Sequence, residues 1–431
     1  MPQELDMTKV VKFDKVDNNF RITIEVDFSR SMLEMENEIQ DALNQAGQVL
    51  TAGALEHLDT DGSPIRLGSL QLTTKGKTGK DYETPYGKVT VNRHVYQTKD
   101  GGKIFCPLDY EARIIGTSTP RFANIISYKF SNSSVSGVSK DLLVGNRRVI
   151  SNDFVFEISA LVANIITEKE SVWNYEMPRF DEEPATIGLS LDGTCVNIRQ
   201  DGWRQVMVGT LSLYDNKGER LFTQYLGESP ENGKERFYNR FSKAVEEMRH
   251  RFSGAQVVGV ADGAKDNWSY LSKFTNELCL DFYHASEYVF RVSKAAFSDE
   301  SERKTWVESR LHDLKHTQNF AQVLIAEMQE MRSEWKLSSN SKDEIKSCQT
   351  YFENNKERMP YSENISKKFP IGSGVVEAGC KVLVKERLCG SGMRWSLDGC
   401  HDILQLRSLA ITDGRWDPFW KKVDRFGIAA A

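Results

Sequence analysis

AQVVGVADGA, residues 255–264, is an unbroken apolar run closed by an aspartate and a glycine. A strand with one solvated face would alternate polar and apolar residues. This one does not, so it reads as a strand buried on both faces of a sheet, ending at Asp262. Seventy residues upstream, ATIGLSLDGT (185–194) has the same form and ends at Asp192. WRQVMVGTLSLYD (203–215) and ERLFTQYLG (219–227) predict two further strands joined through Asn216-Lys217-Gly218. A helix then follows from Phe237, Phe241, Val245, Met248 and Phe252, which recur at helical spacing. After Asp262 the pattern predicts a helix over roughly 265–277 and a fifth strand in LCLDFYH (278–284). Three meandering strands are followed by alternating helices and strands.

That order predicts an α/β fold of ribonuclease H-like layout, a mixed sheet with helices on both faces. The first and fourth strands are neighbours in such a sheet, so Asp192 and Asp262 are expected side by side. Taken singly, each Asp-Gly also reads as ordinary strand-end punctuation. Asp266 and Asp281 are near enough to compete as ligands. His284 reads as a packed neighbour, and Trp203 and Trp268 as core or rim.

A third acid comes from PIGSGVVEAGCKVLVKERLCGSGMRW (370–395). Val375, Val376, Gly379, Cys380, Leu383 and Val384 mark a buried helical face after the cap candidate Ser373, and Glu377 is a lone carboxylate among them. Lys381, Lys385, Arg387 and Arg394 follow, then Trp395. A core helix with one satisfied Glu is one reading. A metal held against a polyanion is the other. Three carboxylates suit hard divalent cations, which prefer oxygen ligands. Two such ions about 4 Å apart could activate a water or 3′-hydroxyl for phosphodiester displacement.

The rest of the chain sets the frame. At 431 residues it exceeds one ordinary core, and 39% hydrophobic with 27% charged residues describes a globular protein. No apolar run of about 18 residues exists, so no membrane helix is expected, and the N-terminus has no signal-peptide pattern. Seven cysteines without a CxxC pair suggest free thiols in a reducing, cytoplasmic compartment; the spacing of Cys380, Cys389, Cys400 and His401 fits no common zinc site. Net charge is −5, but residues 366–425 carry 11 Lys or Arg against 7 Asp or Glu. A locally basic segment on an acidic protein allows a directed anion site.

Toward the N-terminus, residues 28–58 predict one long helix. Met32, Met35, Ile39, Ala42, Ala46 and Val49 form its seam, either packed within the protomer or dimerising. A polar Gly/Thr/Lys stretch (59–81) separates it from a hairpin, YGKVTVNRHVY (86–96) with KIFCPL. Residues 119–167 read as helices broken by turns. A turn at Val144-Gly145-Asn146, followed by Arg147 and Arg148 and a helix capped by Ser151, has the outline of a helix-turn-helix or of a plain helical connector. The organisation expected is therefore 1–118 long helix and hairpin, 119–180 helical DNA-binding region, 181–285 first part of the core, 286–368 helical insertion, and 369–431 the core segment bearing Glu377.

SLDGT, VADGA, DFYHASEY, GSGVVEAGCK…RL…SGMRWS and the terminal LR…RWDPFW together resemble the insertion-sequence Kra family of DDE transposases, over roughly residues 85–420. The resemblance implies a transposase that cuts the ends of a mobile element and joins them to target DNA. Asp192, Asp262 and Glu377 fill the DDE positions and hold Mg²⁺ or Mn²⁺. It further implies N-terminal helices binding double-stranded DNA at the element ends, a homo-oligomer assembled on DNA, and a place at the nucleoid of a prokaryotic cytoplasm. Arg147, Arg148, Lys381, Lys385, Arg387, Arg394 and Trp395 are the candidate DNA contacts. One departure concerns the paired-cysteine knuckle that relatives carry after the N-terminal strand, where YQTKDGGKIFC retains only Cys106.

Overall fold

The computed structural model describes residues 10–16, 19–26, 31–170, 172–231 and 233–428 of a mixed α/β protein. It divides into two compact units, residues 1–176 with 414–431, and residues 177–413.

The first unit opens with a hairpin of β1 (Val10–Val16) and β2 (Asn19–Ile24), then α1 (Met32–His57). Ala42 and Ala46 of the seam and Leu55 beyond it are buried, and Gly47 sits directly under the Tyr86 ring, while Met32 at the start of the seam is exposed. Residues 59–81, polar and without alternation, are not a linker. They hold β3 (Ile65–Leu67) and most of β4 (Leu70–Glu83), which join β5 (Lys88–Thr98) and β6 (Gly101–Phe105) in an antiparallel sheet of order β3-β4-β5-β6. Pairing along the sheet supplies what periodicity lacks. Next come α2 (Pro107–Glu111), α3 (Pro120–Asn132), α4 (Val135–Asn146) and α5 (Asn152–Lys169), the last capped by Ser151 Oγ, which accepts from Phe154 N at 3.1 Å. The break before α5 falls two residues later than the glycine suggests. Arg147, not Gly145, takes the left-handed conformation (φ 53°), and its N–H closes the helix on Leu143.

The second unit is built on a five-stranded sheet: β7 (Thr186–Ile198), β8 (Gly202–Tyr214), β9 (Arg220–Glu228), β10 (Gln256–Ala261) and β11 (Leu278–Leu280), in spatial order β11-β10-β7-β8-β9. The first three strands are an antiparallel meander, and β10 and β11 run parallel to β7. Both faces are covered, and two glycines show how closely. Helix α6 (Glu235–Arg251) lays Phe241 against Gly209, where an added Cβ would meet the ring at 2.5 Å; on the opposite face a Cβ at Gly227 would meet Leu383 at 2.8 Å. Such close packing fills the interior as a crystal does.

Two expected elements change. The helix after Asp262, α7, covers only Lys265–Leu271. The fifth strand stops at Leu280, because Asp281 caps a new helix, α8 (Phe282–Ala296), accepting from His284 N at 2.8 Å. DFYH is therefore a helix start, not a strand end. Helices α9 (Glu300–His316), α10 (Phe320–Glu334), α11 (Ser339–Asn355) and α12 (Tyr361–Ser366) follow, packed on one another and on α8. The chain returns to the sheet through α13 (Gly374–Gly379), a π-helical turn (Cys380–Lys385) and α14 (Glu386–Leu388), then α15 (Leu397–Ile411); α16 (Trp416–Phe426) belongs to the first unit. No helix among the described residues is long and apolar enough to cross a membrane.

Candidate functional site

Asp192 and Asp262 arrive at the same level of adjacent strands. Val260 of β10 is in register with Ser190 of β7, and each acid stands two residues further along its parallel strand. Only Asp262 lies at a strand end. Strand β7 does not stop at Asp192 as expected but runs on to Ile198, because β8 pairs with it along its whole length. Asn267 on α7 bridges the middle of β7 to the end of β10. Its Nδ2 donates to Asp262 Oδ1 at 3.3 Å and to the Leu191 carbonyl at 3.5 Å. Asp262 also accepts from Ala264 N at 3.2 Å across Gly263, whose φ of 105° is open to glycine and strained for other residues. Asp192 Oδ1 accepts from Gly193 N at 2.6 Å, and its Oδ2 accepts from the thiol of Cys380 at 3.3 Å. Burial, and then the charge of Asp192, push the Cys380 thiol well up, so it stays protonated and donates.

Glu377 reaches this end of the sheet from α13. Its carboxylate is half exposed, and Oε1 accepts from Ser373 Oγ at 3.1 Å. Ser373 stands at the cap position, but its hydroxyl serves Glu377 instead of the helix backbone. Its backbone N–H donates to the buried Asp281, which also accepts from His284 N. His284 Nδ1 lies 3.6 Å from Asp281 and 3.9 Å from Glu377. The hydrogen bond to Asp281 raises the imidazole to about 9, with burial opposing and Asp281, Glu287 and Asp262 adding charge. Burial pushes Asp281 up, but hydrogen bonds from His284 and Ser373 outweigh it and bring the carboxyl down to about 2.

Asp281, His284 and Glu377 could hold a metal ion, since one ligand atom from each comes within 4.8 Å of the others. Among the described residues it is this group, not Asp192, Asp262 and Glu377, that is drawn so tightly together. The surroundings suit a charged or hydrated guest. The buried hydroxyl of Tyr351, stacked through its ring on Tyr288 at 3.6 Å, has no hydrogen-bond partner and feels the charges of Asp262 and Asp281.

The helix that carries Glu377 is held in an unusual shape. Beyond Gly379 it widens into the π turn, a form common at functional positions. Buried Arg407 of α15 caps the carbonyls of that turn, donating from Nε to Leu383 O at 3.1 Å and from its other nitrogen to Val382 O. Arg407 therefore fixes where Cys380 and Glu377 stand.

The basic candidates divide. Lys381, Lys385 and Arg394 are exposed. Arg387 is not available to a phosphate: it is 3% exposed, stacks on Trp395 at 5.0 Å, and is lowered to about 10 by burial and by Arg407. Trp395 is held by its backbone to Asn197 and Arg199 and by Nε1 to Leu388 O at 3.0 Å, so it braces the fold. In the first unit Arg148 is buried against Glu83 at 2.6 Å and the Thr84 carbonyl, and Arg147 pairs with Asp41 at 2.6 Å. The charge of Arg148 is spent inside the fold, because a buried guanidinium is retained only with its partners.

Sequence reasoning passed over Asn267 and Tyr351, read Cys380 as part of a buried helical face, held Asp281 as a competing ligand and took His284 for a packed neighbour. The Asp-x-x-His spacing ahead of an apolar helical run was the available signal, since it is the spacing of a cap and its first turn. Compared with protein-family models and with curated proteins, the chain matches none.

Proposed function

We propose that this protein is a DDE transposase of the insertion-sequence Kra type, cleaving DNA at mobile-element ends and joining the 3′-hydroxyls to target DNA on a ribonuclease H-like core. The observation that carries the reading is the meeting of acids from remote segments at one end of a sheet ordered β11-β10-β7-β8-β9. Asp192, Asp262 and Glu377 are the residues that would hold Mg²⁺ or Mn²⁺, and such ions supply a Lewis acid and an activated oxygen nucleophile. Asn267 and the Ala264 N–H fix the Asp262 carboxylate, Cys380 fixes that of Asp192, and Ser373 that of Glu377. Lys381 and Lys385, which follow Glu377 along the same helical segment, and Arg394, beside the far end of β7, present exposed cations that favour the phosphate backbone of double-stranded DNA. A homo-oligomer on DNA and a cytoplasmic, nucleoid location belong to the same reading.

A second reading concerns which acids hold the ion. The close approach of Asp281, His284 and Glu377 favours a site between α8 and α13, with loss of the His284 proton on binding. The test is cleavage and strand transfer on DNA bearing candidate ends, with Mg²⁺, with Mn²⁺ and with chelator. Metal-dependent strand-transfer products are expected. Nicking without strand transfer would make the protein a structure-specific nuclease or resolvase, and metal-independent binding without cleavage a non-catalytic DNA-binding protein.

A further inference from the structure

One end of the β3–β6 sheet carries a cationic excess that the fold does not neutralise. Residues 65–77 and 94–105 hold five Lys or Arg against one Asp, in a chain of net charge −5. Register brings these segments together: Thr73 pairs with Gln97, Lys77 with His94, Arg66 with Gln71, and Thr98 with Gly101. Lys77 lies 3.6 Å from Asp59, which also binds His94. Arg66, Lys75, Lys99 and Lys103 are exposed and have no ion-pair partner among the described residues. At the opposite end the cations are matched, Lys80 and Arg93 by Asp109 and Lys88 by Asp81. The uncompensated charge is thus confined to one end, where Leu67, Leu70 and Ile104 are also exposed.

We infer that this sheet end is a contact surface for the phosphate backbone of double-stranded DNA, binding without regard to sequence; the inference rests on the transposase reading. Register sets Arg66 on the Gln97 face and Lys103 on the Tyr96 face, so the cations flank the sheet end on both sides, and a polyanion is their complement. Three of the four are lysines, point charges that lack the guanidinium fork used to read base edges. Four strands span about 15 Å, wider than the roughly 12 Å major groove, so the sheet lies across phosphates and does not enter the groove. Its role differs from that of Arg147 and Arg148, whose charges are engaged within the unit.

The experiment uses the full chain, a labelled random-sequence duplex and chelator to prevent cleavage, with affinity measured across a KCl series. The quadruple variant Arg66→Gln, Lys75→Gln, Lys99→Gln, Lys103→Gln is compared with wild type, and circular dichroism checks its fold. Each phosphate contact contributes about 0.9 to the slope of log K against log salt, so the variant is expected to lose roughly 3 to 4 from that slope and at least tenfold in low-salt affinity. A folded variant with wild-type affinity and slope overturns the inference, and if the wild type still performs strand transfer the transposase reading survives. A loss confined to anionic lipid vesicles, with duplex binding unchanged, would assign the surface to a membrane and also overturn it. Absence of any salt-dependent duplex binding by the wild type would remove both the inference and the reading beneath it.

Discussion

The two large sheets use charge in opposite ways. In the second unit the sheet is covered on both faces and gathers acids at one end, brought from positions as distant as 192, 262 and 377. In the first unit the four-stranded sheet leaves its cations exposed at one end, and they come from short neighbouring segments of chain. Clustered carboxylates cost free energy unless something holds them there, so the second unit surrounds its acids with donors: Asn267, Cys380, Ser373 and His284. The lysines of the first unit are solvated and need no such frame. Rigid positioning and a charged surface are thus assigned to different sheets.

The largest effect that would break this contrast is on the acids. Asp192→Asn, Asp262→Asn and Glu377→Gln are each expected to abolish metal-dependent cleavage while DNA binding and the melting temperature are kept, since neutralising one carboxylate relieves repulsion in the metal-free protein. Asp281→Asn separates the two metal readings. A live Asp262→Asn beside a dead Asp281→Asn would move the ion to Asp281, His284 and Glu377.

Next in size is Glu228, buried at the end of β9 with Arg240 at 2.8 Å and His401 at 2.9 Å. Burial raises its carboxyl, but His401 and Arg240 outweigh that and bring it to about 2 from an ordinary 4.5. A folded-state value below the unfolded one means the stabilisation is complete above about pH 4.5 and is lost as pH falls toward 2. Glu228→Gln should cost about 3 kcal/mol at neutral pH and flatten the acid limb of the stability profile, read by urea denaturation from pH 7 downward.

Gly209→Ala probes the covered face of the same sheet. Its Cβ would strike Phe241, and overpacking of this kind costs about 1–3 kcal/mol in a chemical melt. The smallest effect belongs to the exposed sheet. The four Gln substitutions at Arg66, Lys75, Lys99 and Lys103 should change stability by less than about 0.5 kcal/mol each, while their effect on duplex binding is large. A substantial loss of stability there would mean that these cations brace the fold, and the contrast between the sheets would fail.

Much of the core was legible because its signals are local. Continuous apolar runs before Asp-Gly located β10 and the first half of β7, which runs on to Ile198, and the heptad-like seam located α1. Strand β4 was not legible: LQLTTKGKTGKDYE neither alternates nor is apolar, and it is a strand because β3 and β5 bond to it on both sides. Nor could the basic residues be sorted in sequence. Arg387 and Arg394 are seven positions apart with similar surroundings, yet one is buried under Trp395 and the other exposed.

The sequence by itself determined the element types around the acids, their order along the chain and the candidacy of Asp192, Asp262 and Glu377, because hydrophobic period and strand-end composition are properties of neighbouring residues. Tertiary structure alone decided which side chains surround those acids. Asp281 caps α8 through His284 close by, but its second oxygen is held by the Ser373 N–H, 92 residues away, and the turn after Glu377 has carbonyls that Arg407 satisfies from another helix. A buried polar group must find its partner wherever the fold provides one, and that partner's distance along the chain leaves no mark on the sequence.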